Sequence, residues 1–493
     1  MKLHFSKVSL ASLAILFALP LTASQTATAQ TNYYVSNSGN DSSGNGSITG
    51  PWATIAHAST NVGPGAVVHV AAGAYNGSFS TYASGTPSAY ITYIANTADF
   101  SATVNCAEVA ANHGDLSTCV RLIGVGSTTW TNFGNYVAIQ GFDVTGPGMN
   151  GIYTQGNATQ IVFNHVHNMM TSTCNSNGGS GINVNGTNAK VMDNYVHNIG
   201  PFPSACGFIQ GIYFLQAGGM AYNNISFANS GFGIQLWHYP ANILLTNNTI
   251  FNNASGGIVL GTDDNFTVDY ITVENNLIAN NGGDGISEQG GSSSSIGIHN
   301  VYTNNLASGN SGGISLWNGR TATATVTGAP QFVNYTGTSS GNYHLQSASP
   351  AIDTALASGS ALTDFDGEPR PQHGGYDIGA YEYSSGSTSS AAVSVPGSMG
   401  FPSTAIGTTS AIEYATLTNT GGTTLTFNGN FIISGPFAFG GKGTCGLTVA
   451  ANSSCTISVV FKPTSVGTAT GTVKLTDSAG SGSQTIALSG YGQ

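Results

Sequence analysis

One short phrase returns seven times between Gly151 and Gly319: GIYT at 151–154, GINV at 181–184, GIYF at 211–214, GIQL at 233–236, GIVL at 257–260, GISE at 285–288 and GISL at 313–316. Starts at 151, 181, 211, 233, 257, 285 and 313 give steps of 30, 30, 22, 24, 28 and 28 residues. Periods in the twenties, short β-type runs and abundant Asn and Gly, with no helical periodicity, predict stacked strand coils. In each phrase the Ile points inward, the next residue outward and the fourth inward. A second phrase runs in step: FNHVHN, DNYVHN, NNISFANS, NNTIFNN, NNLIANN and NNLASGN place a registered asparagine at Asn164, Asn194, Asn224, Asn248, Asn276 and Asn305. Side-chain amides at one turn of successive coils can hydrogen-bond from coil to coil. At about 4.8 Å per coil, ten coils make a rod of roughly 50 Å.

The ends of the chain read differently. Lys2 and Lys7, an apolar run from Val8 to Leu21 and the small residues Ala27-Thr28-Ala29 form a signal-peptide pattern over 1–29. No later segment has eighteen consecutive apolar residues, so a secreted or cell-surface protein without a membrane span is expected. The formal charge is -11, or -13 without Lys2 and Lys7, and only 6% of residues are charged. Nine Lys and Arg in all, with no cluster among them, exclude a nucleic-acid binder. An anionic polysaccharide would need a bridging cation such as Ca²⁺. The segment from Asn32 through PWATIAHAS reads as an N-terminal cap with a short helix around Ile55, because a solenoid's first coil must be shielded from water. SSGSTSS at 384–390 opens a linker, placed at 384–392, ahead of a second domain over 393–493. That domain's short strands, EYATLTNTGG, TTLTFNGNFII, SCTISVVFKPTSVG, GTVKLTD and QTIALSGYG, follow a β-sandwich pattern.

YYVSNSGNDSSGNGSITGPWATIAHAS followed by NYVAIQGFDVTG closely resembles the N-terminal part of secreted bacterial right-handed parallel β-helix proteins related to polysaccharide lyases. APQFVN, GNYHLQSASPAID and TDFDGEPRPQHGGYDIGAYEY look like the closing segment of such proteins. The resemblance runs from about Asn32 to Tyr383 and implies an all-β chain whose solenoid, with both caps, occupies 30–383. Asp353, Asp366, Arg370, Asp377 and Glu382 cluster in its last part, where an Arg satisfied by carboxylates in an end cap is the expected role. TNTGGTTLTF and Cys445 and Cys455 ahead of ISVVFKPTSVG resemble the immunoglobulin-like domain of abnormal-spindle and hydin proteins, which implies attachment or spacing.

Insertions flank the Gly-Ile strand on both sides, before it in the early coils and after it in the later ones, so one face becomes a groove. Cys174 and Cys206 lie 10 and 12 residues beyond their ladder asparagines, Asn164 and Asn194, and should meet. Such a bridge implies Cys106 with Cys119 and Cys445 with Cys455; spacing alone leaves fifteen connectivities open. The outward columns of the groove hold Tyr153, Asn183, Tyr213 and Gln235, and beside them Trp237 and Trp317. Rings and amides suit the apolar faces and hydroxyls of sugars. Tyr153, Tyr213, Gln235, Trp237, His238 and Trp317 are therefore the expected substrate contacts.

Catalytic residues are less marked. The polygalacturonase pattern of aspartates before successive Gly-Ile phrases is represented by Asp284 alone, and no Gly-His-Gly occurs. NGGDGIS at 281–287 resembles the calcium segment of lysine-dependent pectate lyases only at Asp284, and Ser315 stands where that family has its base lysine. Lyase chemistry needs a base for the proton beside the uronate carboxylate and a cation or donor for the enolate. Lys190, His197, Asp264 and Arg320 are the candidates, with Asp263, Asp264 and Asp284 for Ca²⁺. The expected function is lyase-like action on a uronate-containing polysaccharide by a monomer. The alternative is a non-catalytic surface protein that binds glycan or acts as a spacer.

Overall fold

The computed structural model describes residues 31–493 apart from 170–173, 175–177, 373, 385–392, 420–424, 428–430, 447, 451–452 and 478–482. The leader expected at 1–29 and the linker stretch 385–392 fall outside these residues. Three parallel sheets wind into one solenoid, a parallel β-helix, with ten, nine and nine strands among the described residues. Each regular coil supplies a Gly-Ile strand, a strand that runs to the ladder asparagine, and a third strand that returns to the next phrase. In one coil these are Asn150–Thr154, Gln160–Val162 and His165–Met169. The phrases stack as the spacing predicts: Ile152 on Ile182, then Ile212, Ile234, Ile258, Ile286 and Ile314. From Ile152 to Ile286 these side chains are fully buried, each contributing about 1.5–3 kcal/mol by leaving water.

The amide ladder is present. Asn164 Nδ2 donates to Asn194 Oδ1 at 3.1 Å, and the chain continues through Asn224, Asn248 and Asn276 to Asn305 at 2.9–3.0 Å. A second ladder, Asn229 to Asn253 to Asn281 to Asn310, stands at the corner before the Gly-Ile strand, with steps of 2.8–3.0 Å. The residue before each member of the first ladder takes a left-handed backbone, with φ of 60° at Phe163 and 55°, 52°, 51°, 58° and 49° at Asp193, Asn223, Asn247, Asn275 and Asn304. Asn and Asp tolerate that turn better than other non-glycine residues.

The outward-turned amides of this column hold the closing segment. Asn223 donates to Thr363 O, Asn247 to Asp377 O, Asn275 to Leu356 O and Asn304 to Thr354 O. Segment 329–383 is therefore not an end cap: it runs along the outer side of the third sheet. The physical reason is the apolar surface that sheet turns outward, Tyr195, Phe227, Phe251 and Leu277, which Phe332, Tyr343, Phe365, Ile378 and Tyr381 bury. Arg370 is satisfied as expected, but within this cover. It donates to Glu382 Oε1 at 2.8 Å and to the carbonyls of Asp377 and Gly379. At the start of the solenoid, helix Ile55–Asn61 is capped by Thr54, and Trp52 stacks on Tyr33 at 5.2 Å.

Burial pushes Asp193, beside Asn223, Asp364 and Arg370, up to about 7, and Asp364 and Asp377 up to about 6. A raised carboxyl keeps its proton in the fold where the unfolded chain has lost it. That stabilisation is complete below about pH 4 and declines as the pH rises to about 7. Asp193→Asn supplies a permanently neutral amide at a backbone position where other coils already carry Asn. Between pH 5 and pH 8 the wild type is expected to lose about 3 kcal/mol relative to the variant, at about 1.4 kcal/mol per pH unit. Urea unfolding of both proteins at the two pH values measures the difference. Burial holds His165 and His197 below the usual histidine range, and their opposite contributions, common to both proteins, cancel.

All three disulfides are Cys106–Cys119, Cys174–Cys206 and Cys445–Cys455, so the coil register chose the staple correctly. The C-terminal region forms two four-stranded, largely antiparallel sheets around Leu417, Val459, Phe461, Val473 and Ile486, a β-sandwich. No helix among the described residues is long and apolar enough to cross a membrane.

Candidate functional site

The outer face of the Gly-Ile sheet has the columns read from the sequence: Tyr153 beside Asn183, then Tyr213, Gln235, Val259, Ser287 and Ser315. Its surface is amide-rich and tied together. Tyr153 Oη accepts from Gln155 and Asn185, both at 2.9 Å, and Asn185 Oδ1 accepts from Gln216 at 3.1 Å. On three adjacent strands, Gly179–Val184, Ile209–Phe214 and Phe232–Leu236, four buried side-chain oxygens find no partner: Ser180 Oγ, Asn183 Oδ1, Gln210 Oε1 and Gln235 Oε1. Buried polar atoms are nearly always hydrogen-bonded, and each orphan costs about 1–3 kcal/mol. All four lie beneath the surface, whose open polar groups are Gln155 and, half-buried, Tyr153, Asn185 and Gln216.

Beside this row stands an acid-base pair. His238 Nδ1 lies 2.7 Å from Asp264 Oδ2, with both side chains partly open to solvent at 42% and 32%. Strand Phe232–Leu236 ends just before His238, whose backbone is left-handed with φ of 76°, a conformation costly for a β-carbon-bearing residue. No described residue bonds its Nε2. Tyr213 is one coil away, with its ring centroid 6.3 Å from that of His238. Burial, and then the Asp264 carboxylate, push its phenol well above the usual range, so it stays protonated. The loops after two Gly-Ile strands, 262–267 and 291–295, enclose an open recess of about 510 Å³ next to Asp264.

Several expected site residues are placed elsewhere. Lys190 is exposed on the second-strand sheet, in register with Gln160 and Met220. His197 is buried on the third sheet, its Nε2 2.9 Å from His165 Nε2 and its ring stacked on Phe227. Arg320 forms a two-pronged pair with Glu288, Nε to Oε1 at 3.0 Å and Nη2 to Oε2 at 2.6 Å. Glu288 faces inward in register with Leu260 and also accepts from Tyr302 Oη, so this pair closes the last coils' interior and is not on the groove. Trp317 packs against the same core edge, and its N–H donates to Glu288. Trp237 is half-buried, with its ring across Gly261 of the next coil, where any side chain would strike it. Of the four expected catalytic residues only Asp264 joins the groove, so they form no common site.

The expected Ca²⁺ set is also divided. Asp284 lies level with Gly256 at the start of its strand, whereas Asp263 and Asp264 follow the strand's end, seven residues and about 23 Å further along. Those carboxylates do not fit one ion. Among the described residues a different group, Asp143, His165 and His167, brings its ligand atoms together.

A family model described as a right-handed beta helix region matches residues 126–328. Together with the three parallel sheets it establishes a right-handed parallel β-helix. No curated protein sequence matches the chain. Similar solved structures include a pectate lyase, Pel9A, at 17% identity and TM-score 0.49, covering 72% of this chain and 97% of that one. A rhamnogalacturonan lyase is 15% identical with TM-score 0.38, covering 62% and 91% respectively. The A-module of the mannuronan C-5 epimerase AlgE6 from Azotobacter vinelandii is 14% identical with TM-score 0.32, covering 56% and 94%.

Proposed function

We propose that this chain is a secreted or surface-exposed protein that binds a polysaccharide along the outer face of its Gly-Ile sheet and cleaves it by β-elimination. The observation that carries the reading is the amide-rich row of Tyr153, Gln155, Asn185 and Gln216 beside the Tyr213, His238 and Asp264 group. Sugar hydroxyls would bond to the amides and phenol of this row, and the face of Trp237 offers stacking area. Asp264 would hold the His238 imidazole with its hydrogen on Nδ1, leaving Nε2 as base for the proton beside a uronate carboxylate. As that C–H bond breaks, a C4–C5 double bond forms and the C4–O bond to the leaving sugar opens. Tyr213, kept protonated, would return a proton to the leaving oxygen. The C-terminal sandwich, of proposed immunoglobulin-like type, would serve for attachment.

Incubation of the full chain with a panel of uronate polymers, with and without Ca²⁺, tests the reading. Absorbance at 235 nm should rise together with reducing ends. Reducing ends without the 235 nm signal would indicate hydrolysis; binding with neither would favour the glycan-binding or spacer role. Trp237→Ala is expected to weaken oligosaccharide binding by about 1–3 kcal/mol in calorimetric titration.

A further inference from the structure

The third sheet carries a charged cluster that the proposed reaction does not use. Arg121, Asp143 and His165 are cross-strand neighbours on three successive coils, and His167 shares the outer side of the His165 strand. Asp143 is fully buried. Its Oδ2 meets Arg121 Nε, while its Oδ1 lies 2.9 Å from both His165 Nδ1 and His167 Nε2.

The hydrogen bonds around His165 make its Nδ1 a candidate ligand atom. His197 Nδ1 lies 2.6 Å from Asn198 Oδ1; with the amide oxygen turned to the ring, the hydrogen of neutral His197 sits on Nδ1 and its Nε2 presents a lone pair. His165 Nε2, 2.9 Å away, must then be the donor between the two rings. That leaves His165 Nδ1 without a hydrogen, a lone pair 2.9 Å from a carboxylate oxygen, and this buried nitrogen has no hydrogen-bond partner. With Arg121 on the far oxygen, this nitrogen and Asp143 Oδ1 face each other in a dry interior and offer a place for a cation.

We infer that Asp143, His165 and His167 form a binding site for a first-row divalent metal ion, with two imidazoles and one carboxylate as ligands. The three ligand atoms lie within 4.8 Å of one another. A nitrogen-rich set of this kind suits zinc and its neighbours rather than calcium or magnesium, which prefer oxygen throughout. Arg121 on Oδ2 fixes the carboxylate and leaves Oδ1 for the ion, and the Asn198–His197 pair backs His165, as outer partners do at metal sites. The rings of His165 and His167 stack at 4.0 Å with planes 6° apart, so His167 turns about its side-chain bonds when the ion enters. It is the freer ligand, 12% exposed against 4% for His165. The ion would clamp strand Asp143–Gly146 to strand His165–Met169, one coil further on.

The test strips the full chain with a chelator, then titrates Zn²⁺ calorimetrically and Co²⁺ by visible absorption. One Zn²⁺ per chain is expected, with affinity at least about tenfold weaker in His167→Ala and in the milder His167→Gln, and unchanged in His299→Ala, which removes an exposed His–Asp pair. Circular dichroism confirms that each variant is folded; the two His167 substitutions differ in how far they disturb the ring stack. No saturable Zn²⁺ binding, or binding unaffected by both His167 variants, would overturn the site. So would nitrogen NMR at saturating Zn²⁺ showing both ring nitrogens of His165 protonated, because a proton would then hold the ion's place.

Discussion

His238→Ala is expected to lower turnover of whichever uronate polymer the wild type cleaves by about 10²- to 10⁴-fold, the usual effect of removing a positioned base. His238 Nδ1 is held by Asp264 at 2.7 Å, and Nε2 has no described partner. The effect should fall on kcat more than on KM, because the imidazole acts on the bond being broken while the sugar row and Trp237 supply the binding. Asp264→Asn should cost less, since it leaves the base but loosens its tautomer. The backbone separates this reading from a structural one. At φ of 76° His238 occupies a conformation that costs a residue with a β-carbon about 1–2 kcal/mol and glycine almost nothing. His238→Gly should therefore keep or raise the melting temperature while losing turnover as fully as alanine does. A fall in stability with turnover intact would make His238 a packing residue.

The largest expected loss of stability is at the ladder. Asn248 is fully buried and its side chain takes part in five hydrogen bonds: Oδ1 accepts from the backbone N–H and side-chain Nδ2 of Asn224, and Nδ2 donates to Ala221 O, Thr246 O and Asn276 Oδ1. Alanine leaves those partners without water or protein to bond. At about 1 kcal/mol for each bond lost, Asn248→Ala should cost about 3–5 kcal/mol. The exposed Asn265→Ala should cost under about 1 kcal/mol. Equilibrium unfolding in urea compares the two; equal small losses would mean that the ladder is decorative and the apolar bore alone holds the coils.

The solenoid was legible because its two periodic signals are backbone requirements repeated in every coil. Ile at each phrase fills the bore, and the ladder asparagine satisfies a corner that no other side chain fits as well. The second ladder was written in the same phrases, five residues after the first, at Asn229, Asn253, Asn281 and Asn310. It was missed because one asparagine per coil already explained the turn. Glu288 was likewise readable: it holds the inward fourth position of GISE, where the other phrases carry Thr, Val, Phe or Leu, and an inward carboxylate demands a partner such as Arg320. Proximity in sequence to Trp317 sets Arg320 among the groove's catalytic candidates instead. The lateral path of 329–383 was not legible, because it depends on which sheet exposes aromatic rings, and one sequence does not rank the three. The pairing of His238 with Asp264 joins two coils across 26 residues at strand ends, where insertions of different length erase the register that fixed the columns.

The central claim is that the outer face of the Gly-Ile sheet around His238 is where polysaccharide is held and cut. A crystal structure of inactive His238→Gly soaked with a uronate oligosaccharide tests it most directly. Sugar hydroxyls are expected on Tyr153, Gln155, Asn185 and Gln216, with a glycosidic oxygen in reach of Tyr213. Oligosaccharide seated elsewhere, on the third sheet or on the C-terminal sandwich, with this face bare, would contradict it.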